Sequence, residues 1–390
     1  MLSAGYAGRD IDSIEGTIDR HVLLWLDKIK ENWISDPGEL KVFDIGKRIH
    51  YLTVDIITEL CLGEPLGYVK NDGDTYGLMS MIKKGNMVCQ QFSVIHELNT
   101  LFFVLARIPF IRTLLLPSAT DRNGLGKVMG IIRKAVDQHF ESPSPPKRDL
   151  LSSFLKHGLP RHEVETELVI SLVAGSDTTA TAVQSTLLAI ISNPPVYGKL
   201  RAEIDTAVAQ GLVTLPIQNN EAARLPYLSA CVLEGLRKHP PVAQLRERMA
   251  PPEGDWIHGF RIPGGTCIGF NTWGLQLSEV FGRDPEIFRP ERWLIDDEER
   301  LKSMRRTLDL VFGHGSTKCL GVPIAMTELN KIFFELLSHF DITTINPQTP
   351  WKSTCYGIFY LEDFNVRVAS RTLPVNLPGG IVDATGELCI

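Results

Sequence analysis

One of seven cysteines, Cys319, stands in the run Phe312-Gly-His-Gly-Ser-Thr-Lys-Cys319-Leu-Gly321, with glycines at 313, 315 and 321 and an apolar helical stretch directly after it. A thiolate is stabilised at a helix N-terminus by unsatisfied backbone N–H groups and the helix dipole. Glycines in such a loop let the backbone approach a large flat ligand and turn N–H groups toward the sulfur. Those are the requirements of a cysteine ligand to haem iron, whose electron donation is tuned by surrounding hydrogen bonds. A cysteine buried for packing in a turn fits the same residues about as well, because cysteine is among the most often buried side chains.

Two further groups carry chemistry. Ala174-Gly175-Ser-Asp177-Thr178-Thr179 lies inside a long apolar stretch. Helix interiors normally exclude Gly and polar β-branched clusters. Here Gly175 can widen the helix locally, and the acid–alcohol pair offers a proton path to a ligand alongside. An amphipathic helix with a polar notch accounts for the same residues. Glu234 and Arg237 stand at i, i+3, a spacing at which opposite charges pair on a helix. The same spacing recurs at Glu221/Arg224 and Glu286/Arg289 as ordinary surface pairs. Other chemistries fail on spacing. Gly313-x-Gly315 is followed by Lys318 where a dinucleotide fingerprint needs Gly, and Gly124-x-Gly126 fails in the same way at Met129. There is no GxxxxGK[ST], GxSxG or HExxH. Pro160 separates His157 from His162, so these read as surface histidines.

The elements that must hold these groups are mostly helical. Apolar residues recur at helical spacing over 11–33, 45–62, 75–96, 123–140 and 162–192. Further helices are expected from Asp149, over 195–210 and 225–238, and over 322–339. The Pro-rich segment Ser142-Pro-Ser-Pro-Pro-Lys-Arg is a connector. Residues 242–275 are rich in Gly and Pro, with short extended runs such as Trp256-Ile-His-Gly-Phe-Arg-Ile-Pro that read as hairpin strands. Alternating Phe364, Val366 and Val368 predict one more strand. The sum is mainly α with a small β portion, organised as one domain over 1–370 and a loosely held tail over 371–390.

Composition narrows the function classes. The 390 residues carry 40 Lys+Arg against 46 Asp+Glu, a net charge of −6, and 44% are hydrophobic. That is a globular chain without the basic face of a nucleic-acid binder. No two cysteines form CxxC, which disfavours a disulfide framework and a structural zinc site and fits a reducing compartment. Neither a secretory signal nor an N-terminal anchor opens the sequence. Leu98 to Leu116 is apolar but broken by Arg107, Pro109 and Arg112, and reads as a core segment ahead of one touching a membrane surface. Leu168 to Ser192, with Asp177 as its one charge, reads as a helix buried in protein.

The order of the motifs is specific. The acid–alcohol helix, Glu234-x-x-Arg237, Phe288-Arg-Pro-Glu-Arg292-Trp293 and the cysteine loop follow one another along the chain. In this the sequence resembles the cytochrome P450 family, and more narrowly its fungal pisatin demethylase-like group. Leu225-Pro-Tyr-Leu-Ser-Ala-Cys-Val-Leu-Glu-Gly-Leu-Arg-Lys-His-Pro-Pro-Val, Ala325-Met-Thr-Glu-Leu-Asn-Lys and Trp351-Lys-Ser-Thr-Cys-Tyr-Gly-Ile-Phe are similar to its members. The resemblance implies that Cys319 is the axial thiolate of haem b, and that Phe312, Gly313, Gly315 and Gly321 shape its loop. It makes Glu234, Arg237 and Arg292 a buried charge cluster that fixes the core arrangement more than it adds stability. Ala174, Gly175, Asp177 and Thr178 match the oxygen-activating helix, with Asp177 and Thr178 relaying protons and Thr178 bonding the oxygen being activated.

The resemblance further implies a monooxygenase that hydroxylates or dealkylates a small lipophilic substrate, in fungal secondary metabolism. Dioxygen is the second substrate, and electrons come from NADPH through a separate NADPH-cytochrome P450 reductase, with Lys318, Arg305 and Arg306 on a docking face or simply solvated. Expected pocket walls are Val173, Ala174, Val242 to Leu245, and Ile358-Phe359. Nucleic acid is not a partner, and a monomer is expected. Thr317 stands where the family commonly has a basic group reaching a haem propionate, so Arg246 or Arg248 is expected to supply that contact. Counterparts of the membrane anchor, the first sheet and the early helices, including a Trp/Arg helix that grips the propionates, are not found in the sequence. The resemblance therefore implies an N-terminally truncated chain, cytoplasmic as it stands, whose full-length form sits at the cytosolic face of the endoplasmic reticulum membrane. Two alternatives stay open: a fragment with impaired haem binding, and a non-oxygenating haem-thiolate isomerase or dehydratase, which the intact Asp177-Thr178 pair disfavours.

Overall fold

The computed structural model describes residues 2–111, 116–141 and 148–371. Its organising element is the helix Arg161–Ile191, regular throughout its 31 residues. Its C-terminal half buries Ala180, Val183, Leu187 and Ile190 together with Thr181, Gln184 and Thr186. A helix buried on all sides belongs at the centre of a domain, and the neighbours bear this out. Helix Ile45–Leu62 is its largest partner, and helices Pro226–Lys238 and Val322–His339 also pack on it.

Close crossings explain two glycines. A Cβ on Gly175 would lie 2.8 Å from Ile57 Cγ1, on helix Ile45–Leu62. A Cβ on Gly235 would lie 1.9 Å from Thr186 Oγ1. Hydrogen bonds from buried polar groups join the two helices at the first crossing: Thr53 Oγ1 donates to the Ser176 carbonyl at 3.0 Å, and Gln184 Nε2 to the Gly46 carbonyl at 3.0 Å. The local widening expected at Gly175 is not seen. That glycine serves helix approach, and the helix continues regularly past it.

The β portion is small. Strands Phe43–Asp44, Asn365–Ser370 and Phe340–Thr344 form an antiparallel sheet in that spatial order, with Phe43 opposite Val366 and Ile342 opposite Val368. Phe340, Ile342, Val366 and Val368 alternate inward, as period-2 patterning requires. Among the described residues, three two-stranded pieces complete it: Arg248–Met249 with Cys267–Ile268, Asp255–Ile257 with Phe260–Ile262, and Lys352–Cys355 with Phe359–Glu362.

Helix bounds follow the apolar period closely: Ile14–Asn32, Ile45–Leu62, Leu78–Val94, Gly124–Glu141 and Val322–His339. Asp149 starts Leu150–Lys156 by accepting from Ser152 N at 2.8 Å. Helix Glu298–Asp309 was not expected, because it buries only Met304 and Leu308 and has little apolar period to read. One expectation is corrected. Leu98, Leu101, Phe103, Val104, Ile108, Phe110 and Leu116 are exposed, so the stretch read as core is a surface helix, His96–Leu105, with its following turn. Its packing partner is helix Leu78–Val94, and nothing among the described residues covers the opposite side. No described helix is long and apolar enough to cross a membrane. The Pro-rich connector at 142–147, Arg112 and the tail beyond 371 lie outside the described residues.

Candidate haem and oxygen site

The cysteine loop is built on backbone that needs glycine. Gly313 and Gly315 have φ of +79° and +69°, a region disfavoured for side chains with a Cβ. The turn brings Cys319 N to within 2.8 Å of the Phe312 carbonyl. Gly321 then caps helix Val322–His339, with Pro323 in its first turn. Cys319 thus sits just ahead of a helix N-terminus, where the dipole favours a thiolate.

Cys319 opens into a cavity of about 370 Å³. Its walls come from the long helix (Ala174, Gly175, Thr178, Thr179, Ala182), the loop (Phe312, Cys319, Leu320, Gly321), Ile324 and Ala325 beyond it, and Leu236, Val242 and Ile57. The small residues Ala174, Gly175, Ala182, Gly321 and Ala325 leave room for a broad flat ligand between helix and sulfur. The residues present therefore fit a haem: one soft sulfur donor, an apolar slot and one cation, Arg246, on its lining. Arg246 donates from Nη2 to the Val311 carbonyl at 2.6 Å, while its Nε is buried without a protein partner. Burial lowers the Arg246 pKa, so an anion there would compensate it.

Arg248 is placed elsewhere. It is exposed, its guanidinium binds Thr317 Oγ1 and the Glu247 carbonyl, and it does not line the cavity. Alternation along a strand would set 246 and 248 on one side, but Arg246 has φ +49°, which turns the two side chains apart.

Thr178 lines the cavity, its Oγ1 donating to the Ala174 carbonyl at 2.8 Å. Asp177 does not: its carboxylate faces the other side of the helix, toward His50 and Tyr360. Burial raises the Asp177 pKa. Of the expected walls, Ala174 and Val242 line the cavity, whereas Val173, Ala243, Gln244, Leu245 and Ile358 do not, and Phe359 packs at a tilt against His239 instead.

Glu234, Arg237 and Arg292 come together, all buried. The Glu234 carboxylate accepts from Arg237 Nε at 2.9 Å and Nη2 at 2.8 Å, Arg292 Nε at 3.1 Å, Arg289 N at 3.0 Å and Trp293 Nε1 at 2.9 Å. Arg237 and Arg292 spend further donors on the Gln276 and Ile287 carbonyls.

The cavity residues that sequence reading missed include Glu328 and Tyr6. Glu328 sits on the cysteine helix, where burial pushes its carboxyl up to about 8. An acid amid apolar helix positions was the available signal. Tyr6 closes one side, its hydroxyl 2.6 Å from Ser171 Oγ, and nothing in its local sequence marks it.

A family model for cytochrome P450 matches residues 10–363. A cytochrome P450 monooxygenase ABA1 of Pyricularia oryzae is 37% identical over 377 residues, covering 95% of this chain and 72% of the relative. An aba1 monooxygenase of Botryotinia fuckeliana is 34% identical over 369 residues, covering 94% and 72%. The crystal structure of a cytochrome P450DA haem domain aligns with a TM-score of 0.70 at 17% identity, over 92% of this chain and 73% of that one.

Proposed function

The chain belongs to the cytochrome P450 family and is a haem-thiolate monooxygenase of fungal type, and from that premise we propose that Cys319 is the axial thiolate and that Thr178 faces the oxygen chemistry. The observation that carries this reading is that Cys319 and Thr178, from separate elements, line one apolar cavity.

When bound, haem supplies the reductive cleavage of dioxygen and the insertion of one oxygen atom into a substrate bond. The chain's residues serve that chemistry as follows. The loop and the helix N-terminus that follows it place Cys319 Sγ at the cavity, where it would hold the haem iron. Arg246, held by the Val311 carbonyl, would supply the cation for a haem carboxylate. The apolar walls exclude water and select a small lipophilic substrate. Thr178 Oγ1 gives its own proton to the Ala174 carbonyl and so presents lone pairs to the cavity; any proton it passes on must arrive from elsewhere. Asp177, whose burial favours the protonated form, is that source on this reading, reached around the helix.

Electrons come from a redox partner. We assign it as NADPH-cytochrome P450 reductase, the electron donor that membership of this family implies. The reading extends to a monomer working in fungal secondary metabolism at the cytosolic face of the endoplasmic reticulum.

The reduced carbon-monoxide difference spectrum tests the ligand. A thiolate Soret band is expected for the wild type and its loss for Cys319→Ser; a well-folded wild type without the band ends the proposal. Thr178→Ala separates oxygenation from isomerisation. A monooxygenase then diverts NADPH electrons to hydrogen peroxide, whereas an isomerase consumes none.

A further inference from the structure

Successive residues of the long helix face different cavities. Thr178 lines the Cys319 cavity, and Asp177 lines a second one of about 450 Å³. This second cavity lies among helix Ile45–Leu62, the turn after Asn71, helix Leu78–Val94 and the hairpin Lys352–Cys355/Phe359–Glu362. In its wall His50 Nε2 stands 3.7 Å from Asp177 Oδ1. Both residues are more than nine-tenths buried, His50 being 8% exposed and Asp177 3%. His50 Nε2 and Asp177 Oδ2 nonetheless have no protein partner at hydrogen-bond distance, although the Tyr360 hydroxyl also faces the Asp177 carboxylate. Leaving two such atoms open costs stability. The separation is too long for a direct hydrogen bond but suits one bridging water.

The charged surroundings are on every side. Asp44, Lys47 and Tyr51 face the cavity from His50's own helix, Asp72 and Asp74 from the turn, Lys83 from the next helix, and Tyr360, Glu362 and Asp363 from the hairpin. Carboxylates outnumber the cations, which concentrates protons at the cavity mouth.

We propose that His50 carries protons from this second cavity to the Asp177 carboxyl. The proposal rests on the reading of Asp177 as the proton source for Thr178. In the step, His50 gives its Nε2 proton to the Asp177 carboxylate, becoming neutral imidazole. It is then reprotonated by solvent in the acid-lined cavity, while the Asp177 carboxyl releases its proton toward Thr178. Burial lowers the pKa of His50 and raises that of Asp177. Each shift disfavours the charged form of its group, and at this separation the two titrate as a coupled pair. His50 touches no reacting atom and is a positioning residue in this sense.

The test uses the haem-loaded chain. The Asp177 carboxyl stretch is followed by infrared spectroscopy against pH, the band being identified by its loss in Asp177→Asn. Two-step titration is expected in the wild type and a single step in His50→Gln and His50→Asn. In parallel, the share of NADPH electrons recovered as hydrogen peroxide, with NADPH-cytochrome P450 reductase, is expected to rise several-fold in both His50 variants, with a larger solvent deuterium effect. If Asp177→Asn raises peroxide while the His50 variants match the wild type in both readouts, His50 is excluded and Asp177 stands. If Asp177→Asn changes nothing, the Asp177 reading fails and takes the proposal with it. Should both His50 variants fail to load haem, a single-step wild-type titration overturns the proposal and a two-step one supports it.

Discussion

On the proposed reading, Cys319 and Arg246 would divide the work of holding a haem between a sulfur at a helix N-terminus and a cation left incompletely bonded by the protein. The contrast with Arg248 gives a sharp prediction. Arg246→Ala should release haem several-fold faster, measured by transfer to apomyoglobin. Arg248→Ala, whose guanidinium is spent on Thr317 and loop carbonyls, should change that rate little. Gly175 makes a second point at this scale. A Cβ there meets Ile57 Cγ1 at 2.8 Å, so Gly175→Val should destabilise the chain by about 1–3 kcal/mol through overpacking, read from denaturant midpoints. The glycine's place in the motif suggested a local widening of the helix; its neighbour across the crossing supplies a more direct reason.

Among the elements, helix Pro226–Lys238 carries the most constrained arrangement. Gly235 lets it approach the long helix at Thr186, and Glu234 on the same helix collects donors from Arg237, Arg292, Arg289 and Trp293. Replacing such a cluster by packed hydrophobics is often neutral, but removing one charge strands the others. Glu234→Ala leaves two buried guanidiniums without their carboxylate. It should cost about 3–5 kcal/mol, enough that the variant accumulates little folded protein; circular dichroism melts would show it. The surface helix His96–Leu105 teaches the opposite lesson. Its composition looks like core, yet Leu101, Phe103 and Val104 are exposed, because composition records apolarity and not whether another element arrives to cover it.

At the scale of the whole molecule, buried acids couple stability to pH. Glu335, on the cysteine helix beside Lys331 and accepting from Ile217 N at 2.7 Å, has its carboxyl pushed up to about 7 by burial. A carboxyl with a raised folded pKa holds its proton more tightly when folded. Its contribution is full below the ordinary value of 4.5 and is lost as pH rises through about 7. The loss is on the order of 3 kcal/mol, so unfolding midpoints should fall between pH 5 and pH 8, and Glu335→Gln should flatten that slope. Much of this molecule was legible in the chain. Helix bounds followed the apolar period, and the cysteine loop, the acid–alcohol helix and Glu234-x-x-Arg237 stood out by residue type and spacing, because those features are local and repeat at the period of a helix. What residue order could not say is which way each side chain turns. That Asp177 and Thr178, adjacent in the chain, open into separate cavities, that Arg246 rather than Arg248 faces the sulfur's cavity, and that His50 and Tyr360 meet Asp177 were decided by tertiary packing. Such contacts join residues far apart in the chain, His50 and Tyr360 each standing more than a hundred positions from Asp177, and no local pattern encodes them.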